Sequence, residues 1–169
     1  MPSVLVTTDG SANSLFGVRQ VVREYSADRR LEVHVLNVQV PFSRHIAGFV
    51  DGPTRAEFHR EKSFQALAPA RRVLEVAGVP HAIHADVGDK ARCIAAAALR
   101  LGCERVVMGT SRRGLLLRWA VGSLTNQVVA RSTVPVELVA GDPAGALERP
   151  RASCALLAGA HVAVPIERT

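Results

Sequence analysis

The chain has 169 residues, 48% of them apolar and 21% charged, with a formal net charge of +6. That composition excludes a disordered or fibrous protein and leaves room for one globular domain with a tail. No apolar run approaches the roughly 18–20 uncharged residues a membrane span requires, and residues 1–10 lack the features of a signal peptide, so a cytoplasmic protein without a membrane partner is expected.

Residues 3–8 are a short β-branched run that stops at Asp9-Gly10-Ser11, a turn signal leading into a helical pattern over residues 11–25. Leu15, Val18, Val22 and Tyr25 recur there at three- and four-residue spacing, and Ser11 or Asn13 is the expected cap. Residues 31–40 begin with alternation, become largely apolar and end at Pro41, as a mostly buried strand does. After an irregular stretch over 41–53, residues 54–77 carry a long helical pattern that Pro69 is expected to kink or divide.

Gly78 ends that helix, residues 80–87 read as a strand, and residues 89–101 as an alanine-rich helix stopped by Gly102. A fourth strand over 104–108, a loop over 109–121, a helix over 123–131 and a last strand from Val134 to Val139 complete a β-α-β-α-β-α-β-α-β order. Strands separated by helices of this length give a parallel sheet with helices on both faces, and such sheets bind ligands beyond their carboxyl ends. Residues 141–169 hold no sustained helical period and read as a C-terminal extension, probed by a short apolar run over 161–166 that fits an edge strand or a loose tail.

The loop that opens at Gly109 and closes at Gly122-Ser123 runs straight into a helix. Glycine lets a backbone approach a phosphate, and the helix start adds free N–H donors and the positive end of its dipole; an ordinary strand-to-helix connection uses the same residues. The positive charge is less informative. It is scattered along the chain with 4% aromatic residues and no recognition motif, which reads as a solvated basic surface and not as a nucleic-acid partner site.

Asp9-Gly10-Ser11 after the first strand, Met108-Gly109 after the fourth, Gly122-Ser123 thirteen residues later and Val134-Pro135-Val136 in the last strand together resemble the universal stress protein family over residues 3–140. The resemblance implies a universal stress protein domain over residues 1–140 with a five-stranded parallel sheet in the order 3-2-1-4-5. It implies a homodimer through the last strand and, in many members, ATP or AMP at the carboxyl ends of strands one and four, with Mg accompanying ATP. On that footing Asp9, Val38, Gly109, Arg112, Gly122 and Ser123 are the cofactor-binding candidates. Asp9 also suits a plain turn and Val38 a core position.

Arg112 departs from the family pattern, standing where its nucleotide binders carry a middle glycine. Its side chain either fills the phosphate pocket or pairs with phosphate as a bidentate donor. The two readings separate a nucleotide-responsive stress module from a dimeric interaction protein that binds no nucleotide.

A catalytic constellation does not assemble, and at most a slow ATPase is expected. His81 and His84 lie three apart in a strand and point to opposite faces, His34 reads as a strand residue, and His45 and His59, in or near the irregular stretch, read as solvated. Cys93, Cys103 and Cys154 are odd in number and widely spaced, which indicates neither a disulfide framework nor a zinc site.

Overall fold

A computed structural model of the chain describes residues 1–43, 49–111 and 123–141. Along them run β1 (Ser3–Thr7), α1 (Ser14–Ala27), β2 (Glu32–Gln39), α2 (Gly52–Val76), β3 (His81–Val87), α3 (Lys90–Arg100), β4 (Arg105–Ser111), α4 (Ser123–Arg131) and β5 (Val136–Gly141). Every pairing is parallel and the order is β3-β2-β1-β4-β5, the doubly wound α/β arrangement expected.

Strand side chains alternate between faces, so each strand feeds two cores. Val4, Val6, Val33, Val35 and Val107 meet α1 and α2 through Val18, Val21, Leu67 and Leu74. Leu5, Leu36, Val106 and Met108 meet α3 and α4 through Ile94, Ala97 and Val128 on the opposite face. The central strands are buried on both sides, which is why they read as near-continuous apolar runs.

Several boundaries differ from the sequence expectation for local reasons. β4 continues through Gly109, Thr110 and Ser111, which the sequence places in a loop, because β5 runs on to Gly141 and supplies ladder partners as far as Ser111. β5 starts after Pro135, since proline has no N–H to give the ladder; the Pro135 carbonyl instead accepts from the Val106 amide at 2.9 Å. Pro69 does not divide its helix, and α2 is one element of 25 residues capped by the Asp51 carboxylate on the Thr54 amide. α1 starts at Ser14, later than expected, and Asn13 makes no side-chain cap bond; the Ser11 hydroxyl accepts from the Ser14 amide instead.

His34 is a strand residue as expected and is buried, and His59, expected to be solvated, is buried as well. His34 is 7% exposed and His59 8%, the latter packed against the rings of Phe42 and Phe58. His45 and Cys154 lie outside the described residues. His34 Nδ1 and His84 Nε2 stand 3.0 Å apart across β2 and β3, one ring donating to the other. Glu32 lies 3.4 Å from His34 Nε2, too poorly aligned for a hydrogen bond.

Burial first, then the neighbouring His34 and Arg100, hold the His84 imidazole below its usual value, against the opposing pull of Asp86. A depressed folded value means that protonation favours the unfolded chain. The stability conferred by neutral His84 is therefore complete above about pH 6.5 and is lost as pH falls through the lower folded value. Urea unfolding across that range should show falling stability in the native chain and a flatter profile in His84→Leu; equal slopes in the two proteins would remove the effect from His84.

Candidate functional site

At the carboxyl end of the sheet, where the strand order turns from β1 outward to β2 on one side and β4 on the other, the chain leaves a crevice of about 150 Å³. This reversal point is where open α/β sheets accept ligands, because the connections diverge to opposite faces and leave a gap. The floor is apolar, made by Leu36, Val38, Ile94, Met108 and Leu124. Thr7, Thr8, Asp9, Ser14, Lys90 and Thr125 add polar groups, and Gly109 closes the β4 side.

The sequence around Asp9 explains the shape of the rim. Gly10 has φ of +83°, and a side chain there would lie 3.1 Å from the Ala66 backbone of α2, so the turn needs glycine on both counts. The Asp9 carboxylate accepts from the Ser11 amide at 2.9 Å, folding the turn on itself. Partial burial alone would raise the Asp9 carboxyl, but hydrogen bonds from Ser11 and Ser14 outweigh it and hold the group below the usual carboxylate range. It stays an anion, able to accept donors from a ligand. Behind it, the Thr8 and Ser14 hydroxyls are 2.9 Å apart, and the buried Asn37 amide donates to the Thr8 carbonyl at 2.7 Å. That bond ties the end of β1 to β2.

Gly109 is fixed by packing whether or not a ligand is bound. A Cβ at this position would strike the Asn13 carbonyl oxygen and come within 2.8 Å of the Ser14 carbonyl oxygen. The glycine therefore admits the start of α1 against β4, and its own backbone is left lining the crevice.

Of the expected binding residues, the fold brings Asp9, Val38 and Gly109 to one crevice, and Ser123 begins α4 next to the lining residues Leu124 and Thr125. Arg112 and Gly122 lie outside the described residues. Sequence reasoning passed over Thr8, Ser14, Lys90 and Thr125. Ser14 stands three residues after Ser11, a visible capping interval, whereas nothing local marks Lys90 or Thr125. A larger groove of about 370 Å³ runs between α2 and β3, lined by Phe64, Leu67, Ile83 and Ala85 with charged residues at its margin. It lies along the sheet's outer edge, away from the strand ends, and the smaller crevice is the better candidate. Among the described residues no group of three or more His, Cys, Asp or Glu side chains is placed to hold a metal ion, and no helix is long and apolar enough to cross a membrane.

A sequence model of the Universal stress protein family matches residues 1–140. The chain belongs to the universal stress protein family. Solved universal stress proteins share its fold at low identity. One from Burkholderia pseudomallei is 21% identical with a TM-score of 0.62, over 81% of this chain and 94% of that one. A universal stress protein in complex with cAMP is 20% identical with a TM-score of 0.58, over 82% and 96%. A family protein from Arabidopsis thaliana with AMP bound is 17% identical with a TM-score of 0.61, over 86% and 95%. No curated protein matches the sequence.

Proposed function

We propose that this universal stress protein is a nucleotide-binding stress-response module that holds AMP or ATP, the latter with Mg, in the crevice at the strand-order reversal. The observation that carries the reading is the convergence of Asp9, Val38 and Gly109 on that crevice from three different strand ends. An apolar floor suits the flat face of a base, and a rim of hydroxyls and an ionised carboxylate suits a ribose. In this reading Gly122, together with Ser123 as the first residue of α4, takes phosphate oxygens on backbone and hydroxyl donors. Two solved relatives are described with AMP and with cAMP, which agrees with a nucleotide-sized ligand class. The deciding experiment is mass spectrometry of small molecules released from the purified protein on denaturation. A nucleotide in stoichiometric yield is expected; its absence, together with no calorimetric response to added AMP or ATP, removes the reading.

A homodimer in the cytoplasm is the assembly proposed with it. β5 is the terminal strand of the sheet among the described residues, and the edge of a short apolar strand pairs readily with a second copy. Light scattering should give twice the chain mass at micromolar concentration, and a monomer mass at high micromolar concentration would end the dimer proposal. Such a dimer without nucleotide is the second functional reading, motivated by Arg112 at the family's middle-glycine position. The released-nucleotide experiment separates the two.

A further inference from the structure

Lys90 is the single cation among the described residues lining the crevice. It is the first residue of α3, directly after the cap Asp89, whose carboxylate is occupied by the Arg92 amide at 2.9 Å. Asp9, the single carboxylate among the described residues lining the same crevice, is engaged by the Ser11 amide. Neither acid is an ion-pair partner of Lys90, and Lys90 makes no ion pair among the described residues. Ile94, one turn further along the same helix face, is buried in the crevice floor beside Leu36 and Met108. The lysine stem therefore belongs to the crevice wall.

The placement is electrostatically unfavourable for the helix itself. Helix starts favour anions, yet the first turn of α3 carries no acidic residue and holds Lys90 and Arg92. Arg92 is exposed to water, whereas Lys90 is partly withdrawn into the crevice. A residue that opposes its own helix dipole and stays unpaired in a cleft is a local conflict of the kind that folds retain at binding sites.

We propose that Lys90 is the charge-reading residue of this crevice, pairing with the phosphate of a bound nucleoside phosphate so that the site discriminates the phosphorylated ligand from the bare nucleoside. This rests on the nucleotide reading and adds to its uncharged phosphate donors a charged side chain that favours anionic over neutral ligands. α3 and α4 pack side by side on one face of the sheet, so Lys90 and the start of α4 approach the crevice from neighbouring elements. A single phosphate between them would satisfy the lysine charge and the helix donors together.

The test is calorimetric titration of the full chain with adenosine, AMP and ATP at low and high salt, in the native protein, Lys90→Gln and Lys90→Arg. In the native protein AMP binds more tightly than adenosine. Lys90→Gln is expected to weaken AMP about tenfold, to leave adenosine unchanged and to flatten the loss of AMP affinity with salt, whereas Lys90→Arg retains most of the preference. Because removing the charge relieves the helix start, Lys90→Gln is also expected to stay folded by circular dichroism. Native protein that binds AMP well while Lys90→Gln keeps its full affinity, or loses AMP and adenosine equally, overturns the lysine assignment and leaves the nucleotide site standing. Native protein that binds no nucleotide overturns the site and this inference with it.

Discussion

Gly109→Ala is expected to destabilise the folded chain by about 3 kcal/mol, at the upper end of the cost of overpacking a close contact. The added methyl group lies 2.8 Å from the Ser14 carbonyl oxygen and closer still to that of Asn13. Both are backbone atoms at the start of α1, so neither can swing aside as a long side chain would. Relief requires the helix to lift from β4, which would disturb the packing of Val18 and Val21 against Val107 on the same face. For a chain of this size the thermal midpoint should fall by roughly 10 °C. A Gly109→Ala protein within about 1 kcal/mol of the native chain in urea would mean that α1 does not sit this close, and would return the glycine to a purely ligand-related role.

Arg105→Met is the second large effect, at about 2 kcal/mol, below the usual cost of breaking a buried ion pair because the side chain is 27% exposed. Its guanidinium hydrogen-bonds Glu24 of α1 and Glu137 of β5. Partial burial alone would lower the Arg105 value, but the bonds and charges of Glu24 and then Glu137 outweigh it and raise it. Removing the cation leaves the Glu24 and Glu137 carboxylates without the guanidinium that both of them bind. Adding Glu24→Gln and Glu137→Gln to Arg105→Met should therefore restore part of the loss. If the triple variant is less stable than the single one, the orphaned carboxylates are not the cause.

The element order was legible because each strand is bounded by a turn signal and each helix by a cap or glycine, as at Asp9-Gly10-Ser11, Asp89 and Gly102. The ends of β4 and β5 were not, because a strand stops where its partner stops, and Gly109 to Ser111 look like loop until Val139 to Gly141 are set beside them. The same limit applied to the histidines. Spacing correctly separated His81 from His84 by face, but only the β2–β3 register brings His84 to His34. In the crevice, Asp9, Val38 and Gly109 were found through motif positions after strands. Lys90 was missed because it belongs to no turn or motif, and its importance arises from where α3 is set down relative to β1 and β2.

The strand order also governs how the molecule is completed during synthesis. β1 leaves the ribosome before the other strands of the sheet and lies at its centre, paired on one side with β2, which follows shortly, and on the other with β4, about a hundred residues later. The β1-β2-β3 half can therefore assemble early, while one side of Val4, Leu5, Val6 and Thr7 keeps its ladder groups unmatched until Arg105 to Met108 are available. Long-range parallel pairing of this kind is slow and leaves an apolar edge exposed to other chains in the interval. The vulnerable period in the life of this protein is thus the passage from a three-stranded nascent chain to the five-stranded sheet, in which β4 first covers the open side of β1 and β5 then covers β4.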